Sequence, residues 1–395
     1  MEHQTSTDAY APRSRRAMVA LAVGSFAIGT GEFVIMGLLP NVAHDIGVSI
    51  PDAGDLISAY ALGVVIGAPV LAVLAARWPR RTLLIALAAF YGAANIVVAC
   101  MPGYWSLAAA RFASGFPHGT YFGVASLVAA TLAPPGRRSQ AVGYVMLGLS
   151  IAILAGAPLA TWMGQQFGWR SAYVFVGVCA LVAAASIRGC VPYFPPIANA
   201  SPMREIGALR NPQVWLTLGI AGIGFGGMFC VFSYIKPTLL QVTHLDVSWI
   251  PWAMAVFGLG CVTGNLVGPR LADRALMKTI GGILVYAALL LVIFGWLVHY
   301  MPTALLGLFL LGGVGALGPA LQVRLMDVAG DAQTLAAALN HSAFNFANAL
   351  GAWLGGVVII MGLGWTSLGW VGALLSVGGL LMLVASLAHQ RRAAA

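Results

Sequence analysis

Residues 17–40 read AMVALAVGSFAIGTGEFVIMGLLP, an apolar stretch in which Glu32 is the one acid. An α-helix rises about 1.5 Å per residue and needs roughly 20 residues to cross the hydrocarbon of a bilayer. The stretch is therefore long enough to span a membrane. Because an ionisable side chain at that depth is costly and usually has a function, Glu32 is the first candidate for chemistry.

Further apolar stretches of similar length follow, separated by short loops. The twelve predicted spans are 17–40, 54–76, 82–101, 104–132, 140–163, 171–190, 213–239, 248–270, 279–300, 303–325, 333–361 and 366–388. Of the 395 residues, 60% are hydrophobic and 8% are charged, and a soluble core could not bury that much apolar surface. The sequence thus predicts an all-α membrane protein with twelve transmembrane helices.

Lysine and arginine fall almost entirely on one side of the predicted membrane. Most of the 20 lie in the two tails and the even-numbered loops: Arg13, Arg15, Arg16, Arg77, Arg80, Arg81, Arg137, Arg138, Arg188, Arg204, Arg210, Arg270, Arg274, Lys278, Arg324, Arg391 and Arg392. The positive-inside rule then predicts a multi-pass protein with both termini in the cytoplasm. The net charge of +9 is explained by this topology and by contact with anionic lipid, and no nucleic-acid partner is expected.

The longest polar connection, 191–212, contains five prolines and separates six spans from six. Such a stretch is a semi-rigid linker. We expect a cytoplasmic tail over 1–16, an N-terminal six-helix bundle over 17–190, a cytoplasmic linker over 191–212, a C-terminal six-helix bundle over 213–388 and a cytoplasmic tail over 389–395.

The two halves of the chain are partly in register with each other. A shift of 197 positions aligns Pro40 with Pro237 and Gly67 with Gly264. The chain therefore looks like a duplicated six-helix unit. Secondary transporters are often built in this way, with the binding site at the junction of the halves near the bilayer midplane.

Four motifs carry a resemblance to a known family. They are GTGEFVIMGLLP at Gly29–Pro40, RFASGFPHGTYFG at Arg111–Gly123, LADR at Leu271–Arg274 and NHSAFNFANALGAWLGG at Asn340–Gly356. Over nearly its whole length the chain resembles the major facilitator superfamily, in particular its twelve-span drug/proton antiporter branch. Within that branch it is similar to arabinose and sugar efflux permeases and to chloramphenicol-resistance transporters.

The resemblance implies two pseudo-symmetric six-helix bundles in a bacterial inner membrane. It also implies alternating access powered by a proton gradient, with no other cofactor and no metal. We expect a monomer whose partners are a small-molecule substrate, protons and membrane lipid.

The loop between spans 2 and 3 departs from the family pattern, G-x-L-a-D-R-x-G-R-R. Residues Ala72–Arg81 read AVLAARWPRR, which keeps Arg77 and Arg81 but lacks the acid at Ala76 and the glycine at Pro79. A conformational latch that depends on that acid is therefore in doubt in the N-terminal half.

Two other conformational motifs are closer to the pattern. The C-terminal counterpart of the loop keeps Asp273 and Arg274, where a charge pair or helix-end contact could stabilise one state of the transporter. The Gly-Pro of antiporters is spaced by one residue in span 5, as Gly156 and Pro158.

Glu32 and Arg111 lie at matching depths, roughly 12 Å and 10 Å from the outer ends of spans 1 and 4. If these helices line one cavity, as the resemblance implies, the carboxylate and the guanidinium can meet or communicate through water. Glu32 would then exchange the proton, and Arg111 would adjust the proton affinity of Glu32. The alternative is a permanent buried pair that only holds the bundle together.

His118 lies seven residues beyond Arg111, near the same face of span 4. It is either a proton relay or a hydrogen-bonded packing histidine. The candidates for a substrate cavity are Tyr60, Tyr234, Lys236, His341, Asn345 and Asn348. The alternatives are packing for His341, snorkelling to the headgroups for Lys236 and helix-to-helix hydrogen bonds for the asparagines.

These observations predict a proton-coupled antiporter that exports a small organic molecule, drug-like or sugar-like. The alternative is a proton-linked importer or facilitator of a sugar-like solute. Sugar sites need many hydrogen-bonding groups, and the spans are poor in Gln, Asp and Glu. An enzyme is not expected, because the spans carry neither HExxH nor paired aspartates.

Overall fold

The computed structural model describes residues 5–195, 201–330 and 332–394, with the backbone alone for 5–13, 50, 51, 393 and 394. All regular elements in these ranges are helical, as predicted. The N-terminal half contains α1 (Thr5–Ile46), α2 (Ile50–Leu74), α3 (Arg80–Cys100), α4 (Tyr104–Leu132), α5 (Arg138–Ile151), α6 (Ala157–Phe167), α7 (Trp169–Cys190) and α8 (Pro202–Ile206).

The C-terminal half is helical in the same way. Its elements are α9 (Pro212–Gly219), α10 (Gly226–Phe232), α11 (Ile235–Gln241), α12 (Ile250–Leu297), α13 (Met301–Gly313), α14 (Leu317–Val328), α15 (Gln333–Ile360) and α16 (Ser367–Ala394). Several short π-helical or 3₁₀ turns join successive pieces of one span, as between α9 and α10 at Ile220–Gly224.

Ten continuous helical segments of the described chain are long and apolar enough to cross a membrane. One of them, Val247–Leu297, covers two predicted spans, and its backbone leaves helical geometry at Ala275. Helix α4 is also long enough, with 29 residues, but it is less apolar because it carries Arg111 and His118. Since most of its surface is buried in protein, it does not need an apolar exterior. With Val247–Leu297 counted as two spans and α4 added, all twelve predicted spans are present as helices.

The helices pack into two compact units. One comprises Met1–Gly207 with Asp331–His341, and the other comprises Ala208–Gly330 with Ser342–Ala395. This division differs from the predicted bundle boundaries at two places, because the linker helix α8 and the first turns of α15 pack with the first unit. Small residues on α4 allow the latter contact: a Cβ added to Gly123 would lie 2.7 Å from the backbone nitrogen of Ala338.

One set of close helix contacts recurs in both units at the shift of 197 positions. In the first unit, a Cβ added to Gly63 of α2 would lie 2.0 Å from the carbonyl oxygen of Phe112 in α4. In the second, a Cβ added to Gly260 of α12 would lie 2.0 Å from the carbonyl oxygen of Phe309 in α13. The reciprocal contacts join Gly115 to Tyr60 and Gly312 to Phe257. The internal repeat inferred from sequence is thus a repeat of backbone packing.

Span 5 is interrupted by a π-helical turn at Ala152–Gly156, directly before Pro158. Proline has no N–H and its ring collides with the preceding turn of an α-helix, so a wider turn there removes the conflict. Gly156 is buried against α1, where a Cβ would lie 2.2 Å from Oγ1 of Thr30. The spaced Gly-Pro motif therefore marks a local change in helix geometry.

Candidate functional site

Arg111 is buried completely inside the first unit. Its Nη1 donates a hydrogen bond to the carbonyl oxygen of Gly31 at 3.1 Å. The guanidinium carbon lies 4.5 Å from the ring centroid of Tyr60 and 5.6 Å from that of Tyr173, which are favourable cation–π distances. Nε and Nη2 have no hydrogen-bond partner in the described chain. The guanidinium is therefore fixed in place by α1 and two aromatic rings, and two of its nitrogen donors are unpaired in the described chain.

Glu32 follows Gly31 on α1, so the backbone that holds Arg111 also carries the acid. Its side chain is partly buried, and it forms no hydrogen bond with Arg111 in the described chain. The guanidinium of Arg111 nevertheless lies beside this backbone, because it binds the carbonyl oxygen of the preceding residue, Gly31. The structure thus brings the two predicted residues into one neighbourhood without a direct bond between them.

A line of hydrogen-bonding side chains runs from this neighbourhood to His341. The hydroxyl of Tyr91 donates to the carbonyl oxygen of Ile28 at 3.0 Å and lies 3.5 Å from the hydroxyl of Tyr60. The Tyr60 hydroxyl is 2.9 Å from Nδ1 of His118, and Nε2 of His118 is 3.2 Å from Nδ1 of His341. All four side chains of the line are buried. Such a line can pass a proton between neighbours or order the helices that carry it.

The first unit therefore unites several residues predicted separately: Glu32, Tyr60, Arg111, His118 and His341. Sequence reasoning missed Tyr91 and Tyr173. Tyr91 lies in the middle of an apolar span, where its polar hydroxyl at membrane depth was the available signal. Tyr173 lies near the start of span 6 and gave no such signal.

The remaining substrate-cavity candidates lie in the second unit. The Tyr234 hydroxyl donates to the carbonyl oxygen of Ala352 at 2.8 Å, so it joins two spans of that unit. Lys236 is exposed, Asn345 is buried and Asn348 is partly buried. Tyr234 thus has a clear packing role, while the exposed Lys236 is available to solvent or headgroups.

The conformational candidates differ in how firmly they are held. In the loop between α2 and α3, Arg77 is exposed, and Nη2 of Arg81 donates to the carbonyl oxygen of Arg188. In the second unit, Asp273 is partly buried and Arg274 is exposed, directly before the break at Ala275. No three His, Cys, Asp or Glu side chains of the described ranges come together to hold a metal ion.

The family assignment follows from comparison with known proteins. The sequence model of the Major Facilitator Superfamily matches residues 21–312 and 221–394, which together include both units. The chain belongs to this superfamily. It is 36% identical over 376 residues to the Inner membrane transport protein YdhP of Escherichia coli (strain K12), a match that covers 95% of this chain and 96% of YdhP.

Two other proteins show the breadth of the likeness. The chain is 34% identical over 341 residues to the Chloramphenicol resistance protein of Streptomyces lividans, covering 84% of this chain and 86% of that protein. The crystal structure of the human organic anion transporter MFSD10 (TETRAN) has the same fold, with a TM-score of 0.76 at 16% identity over 94% of this chain and 99% of the other. The predicted family is confirmed: the protein is a multi-pass membrane transporter and not an enzyme.

Proposed function

We propose that this transporter is a proton-coupled antiporter that exports a small organic molecule, drug-like or sugar-like, by alternating access. The observation that carries the proposal is the pairing of Glu32 with Arg111 in one neighbourhood of the first unit. Glu32 is an acid at membrane depth, and Arg111 is a buried cation with two nitrogen donors that no described residue occupies. Ionisable side chains within transmembrane segments are rare, and they commonly mark substrate, ion or proton pathways.

The geometry suggests how exchange would work. An ionised Glu32 is attracted by the guanidinium, whereas a protonated Glu32 is not. A change in the distance between the two groups therefore changes the proton affinity of Glu32. Because Arg111 is anchored by Gly31 and by the ring of Tyr60, a movement of the carboxylate or arrival of substrate would alter that distance.

The substrate class rests on composition and on a relative. The spans offer mostly apolar surface, which suits a weakly polar organic molecule better than a heavily hydrated one. The relative from Streptomyces lividans is named for resistance to chloramphenicol, which is such a molecule. We also propose a monomer in the bacterial inner membrane, the membrane given in the name of YdhP. The distribution of Lys and Arg supports cytoplasmic termini.

The test uses inside-out membrane vesicles and a panel of chloramphenicol, cationic dyes and arabinose. When the lumen is acidified, an antiporter should accumulate its substrate in the lumen, whereas a proton-linked importer should not. Glu32→Gln should bind substrate and exchange it passively, but it should lose accumulation driven by the pH gradient.

The matched control is Asp55→Asn, which removes an exposed acid at the start of α2. We expect Asp55→Asn to transport like the unmodified protein. Undiminished proton-driven accumulation by Glu32→Gln would refute the role of Glu32. Depletion of substrate from an acidified lumen would favour the importer.

A further inference from the structure

The linker between the two halves carries a buried acid that the sequence pattern does not single out. Glu205 lies in the five-residue helix α8 and is only 5% exposed. One of its carboxylate oxygens, Oε2, accepts the backbone N–H of Leu335 at 2.8 Å, and Thr334 donates from both its backbone and its side chain. Leu335 and Thr334 lie in the first turn of α15. The linker thus caps the beginning of span 11.

A carboxylate is well suited to that position. The first N–H groups of an α-helix have no partner within the helix, and the helix dipole places partial positive charge at the same end. Burial raises the pKa of Glu205 above its ordinary value, and hydrogen bonds from Leu335 and Thr334 and the charge of Arg80 oppose that rise.

Arg80 ties this cap to the rest of the first unit. It begins α3, and its Nη1 donates to Oγ1 of Thr131 near the end of α4 at 3.3 Å. The charges and hydrogen bonds around Glu205 therefore involve the linker, α3 and α15, with α4 reached through Arg80. The loop that precedes Arg80 is the one whose expected acid is replaced by Ala76. Glu205 supplies a carboxylate to the same end of the unit from a different part of the chain.

The capped segment is the part of α15 that packs with the first unit. Residues up to His341 belong to that unit, and from Ser342 onward the same helix belongs to the second. The capped turns also press closely on α4, where a Cβ added to Gly119 would lie 3.0 Å from the carbonyl oxygen of Ala338. A contact that holds these turns on α4 therefore bears on a helix shared by both units.

We propose that Glu205 is a positioning residue of the transport cycle: its cap keeps the first turns of α15 docked on α4, and each cycle requires that cap to be released. The proposal rests on the alternating access of the proposed function and is independent of proton exchange at Glu32. Loss of a cap of this kind should change the ratio of docked to undocked protein about fivefold.

The readout is the labelling rate of a cysteine at position 338. Ala338 is fully buried, so Ala338→Cys in a chain whose five native cysteines are replaced reports how often the turns leave α4. The probe is N-ethylmaleimide on purified protein without a pH gradient. Glu205→Ala should raise the labelling rate about fivefold, and Glu205→Gln, which keeps the shape but weakens the acceptor, should raise it less.

Two controls separate positioning from simple helix stability. Ser201→Ala removes the Oγ that accepts a hydrogen bond from the backbone N–H of Arg204 at the start of α8, and it should leave labelling unchanged. Adding Ala332→Ser to Glu205→Ala provides α15 with a cap from its own chain. That double variant should regain thermal stability but keep the fast labelling, because the link to α8 is still missing.

Equal labelling rates in the Glu205 variants and the unmodified protein would overturn the proposal, as would full restoration of slow labelling by Ala332→Ser. The same measurements in the Glu32→Gln background should give the same ratios. A failure of proton coupling at Glu32 is therefore distinguishable from a failure of the cap. If Glu205→Ala does not fold, Glu205→Gln decides between the two outcomes.

Discussion

At the scale of single residues, Tyr60 connects the two parts of the candidate site. Its ring lies against the guanidinium of Arg111, and its hydroxyl lies 2.9 Å from His118. Removing the hydroxyl therefore separates the cation from the histidine line without disturbing the ring.

Tyr60→Phe should cost about 1 kcal/mol of stability, the net value of one hydrogen bond, and should slow proton-coupled transport several-fold. The measurement is the rate of proton release when substrate is added to purified protein with a pH indicator. Tyr121→Phe is the matched control, since it also removes one buried hydroxyl bond from the first unit, to the carbonyl oxygen of Leu21. Equal rates in the two variants would contradict a role for Tyr60 in proton transfer.

The sequence could indicate Glu32, Arg111 and His118 because depth and helical spacing depend on position within one span. It could not indicate that Tyr60 would meet His118, 58 positions away, since contacts between spans depend on how the helices are rotated against one another. Tyr173 was missed for the same reason. Its contribution to the site is the contact of its ring with the guanidinium of Arg111, which lies on another helix.

At the scale of secondary-structure elements, α2 and α4 approach each other closely, backbone to backbone, in the first unit. Gly63→Ala should destabilise the protein by about 1–3 kcal/mol, because the new methyl group would meet the backbone of Phe112 and force the helices apart. The measurement is the thermal unfolding midpoint in detergent.

Gly54→Ala is the control within the same helix, since a Cβ there meets nothing within 4 Å. It should be neutral or stabilising by up to about 1 kcal/mol, because alanine loses less conformational freedom in a helix than glycine. A similar midpoint for both variants would show that the close packing does not limit stability.

Apolar length predicted the helices and the boundaries between spans, but it did not resolve interruptions within a span. The break at Ala275 falls between the predicted spans 248–270 and 279–300, where charged residues end the apolar run. The π-helical turn before Pro158 is different, because the proline gives a local reason for it. Interruptions within a span that no proline announces, such as the π-helical turn at Ile220–Gly224, are therefore the part of an element that a single sequence does not disclose.

At the scale of the whole molecule, the distribution of arginines predicts orientation. A green fluorescent protein fused after Ala395 should fluoresce and alkaline phosphatase fused there should be inactive, because Arg391 and Arg392 are retained in the cytoplasm. Alkaline phosphatase fused after Gly47, beyond the end of α1, should be active. Active phosphatase at the C-terminus would reverse the proposed topology.

The internal repeat was predictable from a few aligned residues, and the contacts of Gly63 and Gly260 give it a physical basis. The division into units was less predictable. A proline-rich linker suggests a boundary near residue 200, but the first turns of α15 lie 130 residues later and still pack with the first unit. This assignment of the first turns of α15 to the first unit depends on complementary small residues on two helices that are distant in the sequence, and hydropathy does not report them.

The packing of the first turns of α15 with the first unit has a consequence for recombination between relatives. A chimera joined at the linker would place the start of α15 from one parent on α4 and α8 of the other, although Gly119, Gly123 and Glu205 are fitted to their own partner turns. A crossover that respects the packing needs two junctions, one near Gly207 and one inside α15 near His341. The segments that can be exchanged between relatives without breaking these contacts are thus not the two contiguous halves of the chain.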